Sequence, residues 1–224
     1  MNLETFYRDL WNRKLDRTQQ PPSKQRIDRV EWVAELMGKP ESLIDFGCGA
    51  GAMLGAAYRK GVASILGVDF AGTLLEWLKD QEGGRYLVMP CDLNQETAPS
   101  SDAKWDVATS TDVIEHLIDP HHMLAEMYRV LKPGGVAFVA TPNASSWRRV
   151  EQLSEGEMFR TCGDPGLKDG GHLSYWGPVD LKAALLKSGF QKVAIEYRAT
   201  FPAPKGKSVG EWSNYSYLIA KAEK

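Results

Sequence analysis

The sequence predicts an α/β protein built on a mostly parallel sheet, and three observations carry that expectation. Between residues 42 and 140, short apolar runs alternate with helical patterns, the texture of βαβ units. The first of those runs ends in Gly47-Cys48-Gly49-Ala50-Gly51, a glycine-rich turn that opens a helix. The last two apolar runs are joined by a loop with no crossover helix, which pairs them antiparallel.

Taken in order, Leu3, Phe6, Tyr7, Leu10, Trp11 and Leu15 fall at helical spacings, and Pro21 and Pro22 break that helix after about Gln20. A second helix runs from about Ser23 to Met37, with Ile27, Val30, Val33, Ala34 and Met37 on one face and Gly38 and Pro40 as its stop. Leu43 to Phe46 is a strand, Ala52 to Lys60 a helix, Ser64 to Asp69 a strand, and Ala71 to Lys79 a helix. Tyr86 to Met89 and Trp105 to Ser110 are further strands, followed by a helix near 120–131. Lys132-Pro133-Gly134-Gly135 is a turn into an apolar strand, Val136 to Ala140. Asp180 to Ser188 is a helix capped by Gly189, Phe190 to Tyr197 a strand, and Tyr215 to Lys221 the last strand. Right-handed crossovers place helices on both faces of the sheet.

The chain of 224 residues is the size of a single domain with additions. We expect one domain over 1–224: a helical cap at 1–40, a ligand-binding core at 41–142, an insertion at 143–177, and a final helix and hairpin at 178–224. Lys plus Arg number 27 and Asp plus Glu 29, a net charge of −2, which leaves no electrostatic footprint for nucleic acid. No apolar run reaches the ~18 residues of a membrane span, and the first ten residues lack the apolar stretch of a secretory signal. Cys48, Cys91 and Cys162 are odd in number and form no CxxC pair. That suits a reducing cytoplasm and argues against a disulfide framework or a zinc knuckle.

A strand, a glycine turn and a helix N-terminus together make a place for an anion or a cofactor. Gly47-x-Gly49-x-x-Ala52 also satisfies a dinucleotide fingerprint, so an NAD-dependent oxidoreductase is one reading. Asp45 weighs against it. A carboxylate at that strand tip repels a pyrophosphate and suits an ammonium or sulfonium group. Asp69 closes the next strand, where an acid meets ribose hydroxyls. Cys91-Asp92-Leu93 follows the third, where an acid can accept from an adenine amino group. Each acid could instead be a helix cap or a loop acid.

Leu43-Ile44-Asp45-Phe46-Gly47-Cys48-Gly49-Ala50-Gly51 resembles the cofactor motif of class I S-adenosylmethionine-dependent methyltransferases. Gly67-Val68-Asp69-Phe70, Cys91-Asp92-Leu93, Asp106-Val107-Ala108 through Asp112-Val113-Ile114-Glu115-His116-Leu117, and Arg129-Val130-Leu131-Lys132-Pro133-Gly134-Gly135 resemble its later motifs in order. The resemblance implies a Rossmann-like sheet of seven strands in the order 3-2-1-4-5-7-6, with strand 7 antiparallel. It implies S-adenosylmethionine as cofactor and S-adenosylhomocysteine as product. Asp45, Gly47, Cys48, Gly49, Gly51, Asp69, Phe70, Asp92, Leu93 and Thr111 would then hold the cofactor. Thr141-Pro142-Asn143 and Gly171-His172-Leu173 resemble, more loosely, enzymes of glycan, natural-product and quinone biosynthesis.

Methyl transfer to an oxygen needs alignment and removal of a proton. His116 is the first candidate base and His172 the second, since a histidine can take a hydroxyl proton at neutral pH. Tyr7 and Trp11 are either core or a lid over the cofactor, and Arg26 is either a surface residue or a partner of the cofactor's carboxylate. The insertion offers Trp147, Arg148, Tyr175 and Trp176 to an acceptor, a small molecule or a glycan. No metal is expected. His121 and His122 are adjacent on a helix and point about 100° apart, which is poor chelation geometry, and Asp119 before Pro120 reads as a helix cap. A cofactor-binding subunit without catalysis is the remaining alternative, and the chain is expected as a monomer or a homodimer.

Overall fold

A computed structural model describes residues 24–72, 75, 76, 78, 79, 83–156, 172–199 and 211–224, with only the backbone described at 24–28, 211 and 212. Seven strands form one sheet: β1 (Ser42–Phe46), β2 (Ser64–Asp69), β3 (Leu87–Pro90), β4 (Trp105–Thr111), β5 (Leu131–Pro142), β6 (Lys192–Arg198) and β7 (Tyr217–Glu223). Their order is β3-β2-β1-β4-β5-β7-β6. The first five pair in parallel, and β7 runs antiparallel to both β5 and β6. This is the order and the hairpin that the sequence led us to expect. The expected first helix, to Gln20, lies outside the described residues.

The helices are α1 (Lys24–Met37), α2 (Ala52–Arg59), α3 (Pro120–Val130), α4 (Trp147–Ser154) and α5 (Pro178–Lys187), with helical positions also at 72, 75, 76, 78 and 79. β1 is buried along its whole length, as a central parallel strand covered on both faces must be. Its side chains alternate between two cores. Leu43 packs with Val33, Leu54, Leu75 and Leu78 on the α1–α2 face. Ile44 and Phe46 pack with Met123, Met127, Leu181 and Leu185 on the α3–α5 face. Each such fully buried side chain contributes about 1.5–3 kcal/mol relative to leaving it exposed.

Three elements differ from the sequence reading. The expected turn at Lys132–Gly135 lies inside β5: Leu131 pairs with Trp105 and Val136 with Val107, so these four residues loop out opposite Asp106. Lys132 Nζ meets the Asp106 carboxylate at 2.7 Å across that bulge. β6 begins at Lys192, because Phe190 turns away to pack edge-on against Tyr128 with ring centroids 5.3 Å apart. The insertion after β5 opens with α4, which the sequence reading did not single out although Trp147, Val150 and Leu153 fall at helical spacing along it; none of its residues is buried.

Candidate active site at the carboxyl ends of the strands

The parallel strands β1, β2, β3 and β4 deliver their last residues to one edge of the sheet. Asp45, 3% exposed, accepts a hydrogen bond from Thr109 Oγ1 at 2.7 Å. Burial pushes its carboxyl up to about 7, with the charge of Asp69 adding to that and the Thr109 hydroxyl opposing it. Beyond it the chain turns through Gly47 and Gly51 at φ 76° and 78°, the latter capping α2. A Cβ on Gly47 would stand 2.3 Å from Val113 Cγ2, so only glycine lets this loop lie against the turn after β4. Asp69 fastens the loop from the other side, its Oδ2 accepting from Gly49 N at 2.9 Å and its Oδ1 from Ala71 N at 3.0 Å.

Cys48 is buried behind the loop, and burial raises its thiol well above the ordinary cysteine value. Phe70 follows Asp69, half-buried. After β3, the Asp92 carboxylate is engaged by its own loop, through Asn94 N at 3.0 Å, Asn94 Nδ2 at 3.1 Å and Gln95 Nε2 at 2.9 Å, and Leu93 is buried. Asn94 Oδ1 then accepts from Ile118 N and ties this loop to the segment after β4.

That segment concentrates the site's unusual features. Thr111 ends β4 with a buried Oγ1 that has no hydrogen-bond partner. Asp112 is left-handed at φ 57°. Its carboxylate accepts from Arg29 Nη1 at 2.7 Å and from the hydroxyl of Tyr217, while the Arg29 guanidinium lies 4.5 Å over the Tyr217 ring. A 3₁₀ turn, Ile114–His116, follows. It sets Glu115 at 2% exposure, with Oε2 accepting from Thr141 Oγ1 at 2.9 Å and Oε1 without a hydrogen-bond partner. Burial pushes this carboxyl up to about 8, the Asp112 charge adds to it, and Thr141 and Arg29 oppose it.

His116 and His172 stand edge to face, with ring centroids 4.8 Å apart. His172 Nε2 is 4.0 Å from Glu115 Oε1. The ligand atoms of Glu115, His116 and His172 all lie within 4.8 Å of one another, close enough to reach a shared ion. The sequence reading expected no metal and considered only His121 and His122. Of these, both backbone N–H groups donate to Asp119 Oδ1 at 3.1 Å, which makes Asp119 the cap of α3.

Glu115, Thr141, Arg149, His172, Tyr175 and Trp176 line one small cavity. The structure thus gathers His172, Tyr175 and Trp176 of the sequence-predicted set. Trp147 and Arg148 sit on α4 outside that cavity, Arg148 exposed and 5.8 Å over the Trp147 ring, and the neighbouring Arg149 lines the cavity instead. Tyr7 and Trp11 lie outside the described residues, as does the side chain of Arg26. Arg29, one helical turn along α1, reaches the Asp112 carboxylate. Arg29, Asp112, Tyr217 and Thr141 were not among the expected site residues. Their partners lie 83, 105 and 26 positions apart in sequence, beyond any local motif.

A methyltransferase-domain family profile matches residues 6–195. The chain belongs to the class I S-adenosylmethionine-dependent methyltransferases. Among its relatives are ubiquinone biosynthesis O-methyltransferases of Bordetella avium, 31% identical over 86% of this chain and 80% of that one, and of Leptothrix cholodnii, 32% identical over 62% of this chain and 70% of that one. Among solved structures, the fold is shared with a Burkholderia thailandensis 1,6-didemethyltoxoflavin-N1-methyltransferase bound to S-adenosylhomocysteine. The TM-score is 0.65 at 16% identity, over 99% of this chain and 87% of that one. A Thermotoga maritima S-adenosylmethionine-dependent methyltransferase matches at TM-score 0.63 and 19% identity, over 88% and 87% of the two chains. The methyltransferase uses S-adenosylmethionine as its cofactor. The strand tips fit that molecule: a buried carboxyl at Asp45 for a cationic group, and an unpartnered hydroxyl on Thr111 beside a glycine loop closed to any side chain. No helix among the described residues is long and apolar enough to cross a membrane.

Proposed function

We propose that this methyltransferase methylates a hydroxyl oxygen of a small molecule, with a quinone precursor first among the candidate acceptors. The observation that carries the reading is the cluster of Glu115 and His116, in the turn after β4 whose Val113 lies against Gly47, with His172 from the segment before α5. The names of the relatives that share the sequence support the oxygen and the acceptor class. S-adenosylmethionine supplies a methyl group already activated on a sulfonium. The chain's own work is then to bind, align and take up a proton.

In this reading Asp45 faces the ammonium group and Asp69 the ribose hydroxyls. Asp92 and Leu93 border the adenine, and Gly47, Cys48, Gly49, Gly51, Phe70 and Thr111 complete the cradle. His116 and His172 stand where the acceptor's hydroxyl proton must leave. Tyr175, Trp176 and Arg149 shape the acceptor cavity. Turnover measured with S-adenosylmethionine against phenolic quinone precursors, sugars and amines tests this. Transfer to the phenols is expected to be fastest. Transfer to amines alone would overturn the choice of oxygen, and transfer to sugars alone the choice of acceptor.

A further inference from the structure

We propose that two copies of this chain join edge to edge through β6 and α5, in a two-fold register centred on Ala194 that runs each sheet into the other. The inference does not depend on which acceptor the active site takes.

The two edges of the sheet differ. β3 is four residues long and closes with Pro90, which has no N–H to offer. β6 is seven residues long, carries no proline and, among the described residues, pairs with β7 alone. Its outer side therefore presents a row of main-chain donors and acceptors, the template on which another strand adds.

The side chains of β6 select that strand. On one face Val193, Ile195 and Tyr197 pack toward the core under α5. Together with Val179, Ala183 and Leu186 of α5 they line one groove. Those three α5 residues fall at i, i+4 and i+7, a single helix face, and Val179 and Leu186 are 76% and 44% exposed. The opposite face of β6 carries Lys192, Ala194, Glu196 and Arg198. The side chains of Lys192 and Glu196 are 80% and 45% exposed. Within the chain they meet Glu223 at 3.2 Å and Arg198 at 3.5 Å, surface pairs that contribute little.

A two-fold axis sets residue i of one strand against residue j of the other, and j against i. Centred on Ala194, it places Lys192 opposite Glu196 of the second copy and Val193 opposite Ile195, each twice, with the small Ala194 opposite itself. Centred on Ile195, it would place Lys192 against Arg198 twice. Centred on Glu196, it would set two carboxylates face to face. Opposite charges across a ladder attract and like charges repel, so of these three registers only the first is favourable. The run Lys192-Val193-Ala194-Ile195-Glu196 is thus complementary to itself, which is why the occupant is a second copy and not a foreign strand. The same axis brings the two α5 stripes together over the joined strands and removes Val179 and Leu186 from water.

The test is the mass of the full chain by sedimentation velocity, from about 1 to 100 μM protein, a range that spans weak and firm dimers. The wild type is expected to reach twice the chain's mass. Glu196→Lys and Lys192→Glu, each setting like charges opposite one another, should weaken the dimer at least about tenfold. Lys192→Glu/Glu196→Lys combined should restore it, a recovery that damage to the fold would not give. Ala194→Cys should link two chains on mild oxidation, because opposed residues lie about 4.5–5.5 Å apart at Cα, within reach of a disulfide. Glu196→Cys, about 14 Å from its own counterpart in this register, should not. The wild type, with its own three cysteines, is the control for both. A monomer at every concentration overturns the proposal and leaves the edge to a strand from another protein. A dimer that neither charge reversal weakens, a double variant as weak as the single ones, or an unlinked Ala194→Cys overturns it as well, since another surface or register would then hold the pair.

Discussion

A carboxylic acid at the tip of a central strand is costly to bury, and Asp45 is buried there with one hydroxyl for company. Its carboxyl is pushed up to about 7, so without ligand it holds a proton for much of its time below neutrality. An ammonium group arriving beside it favours the charged form and expels that proton. We therefore predict that S-adenosylhomocysteine binding at about pH 6 releases protons. The binding enthalpy should depend on the ionisation enthalpy of the buffer, and the dependence should vanish in Asp45→Asn. A buffer-independent enthalpy in the wild type would detach Asp45 from the ammonium. Gly47 makes the second prediction at this scale. Ala there needs a positive φ and a Cβ 2.3 Å from Val113. Strain of this kind costs roughly 1–3 kcal/mol, and the turn it displaces carries Thr111 and Glu115. Gly47→Ala is expected to melt lower and to bind S-adenosylhomocysteine at least about tenfold more weakly, as calorimetry would read. Unchanged affinity would count against the loop as the cradle.

Arg29 on α1, Asp112 after β4 and Tyr217 on β7 tie three elements together around one carboxylate. Tyr217→Phe keeps the ring under Arg29 and removes only the hydroxyl that Asp112 accepts. It is expected to lower stability by about 1–3 kcal/mol in urea unfolding, and an unchanged midpoint would show the contact to be idle. No local pattern could have revealed this knot, because its members are far apart in sequence. What the sequence did reveal at the element scale follows from local physics. Leu43-Ile44-Asp45-Phe46 and Val136 to Ala140 are apolar runs too short for helices, and Asp119-Pro120 and Gly51 mark helix starts. The element it missed, α4, is only eight residues long, so its apolar residues Trp147, Val150 and Leu153 at helical spacing are too few to stand out from a loop. The β5 bulge escaped notice because Lys132 to Gly135 reads as an ordinary turn, while the ladder that resumes beyond it depends on a partner strand.

At the scale of the whole molecule, the sheet joins residues 42 to 223 in one hydrogen-bonded ladder with a core on each face. A core shared in this way should melt as one body. We predict a single calorimetric transition that moves to higher temperature when S-adenosylhomocysteine is added, the folded state gaining about 2.7 kcal/mol at a hundredfold excess over Kd. Two transitions, one of them insensitive to the ligand, would divide the chain that we expect to be one domain. The strand order was legible in the motifs that resemble the family's in sequence, and the candidate cofactor residues Asp45, Asp69 and Asp92 stood out because they end or follow β1, β2 and β3. The small cavity beside the two histidines was only half legible, since His172, Tyr175 and Trp176 come from one segment while Arg149, Thr141 and Glu115 join them only through the fold. The reading stands or falls on which atom receives the methyl group. Incubation with S-adenosylmethionine carrying a ¹³C-labelled methyl and a phenolic quinone precursor, followed by carbon NMR of the product, decides it. A new methoxy resonance is the predicted result. A methyl bound to nitrogen or to ring carbon, with the cofactor consumed, would contradict it.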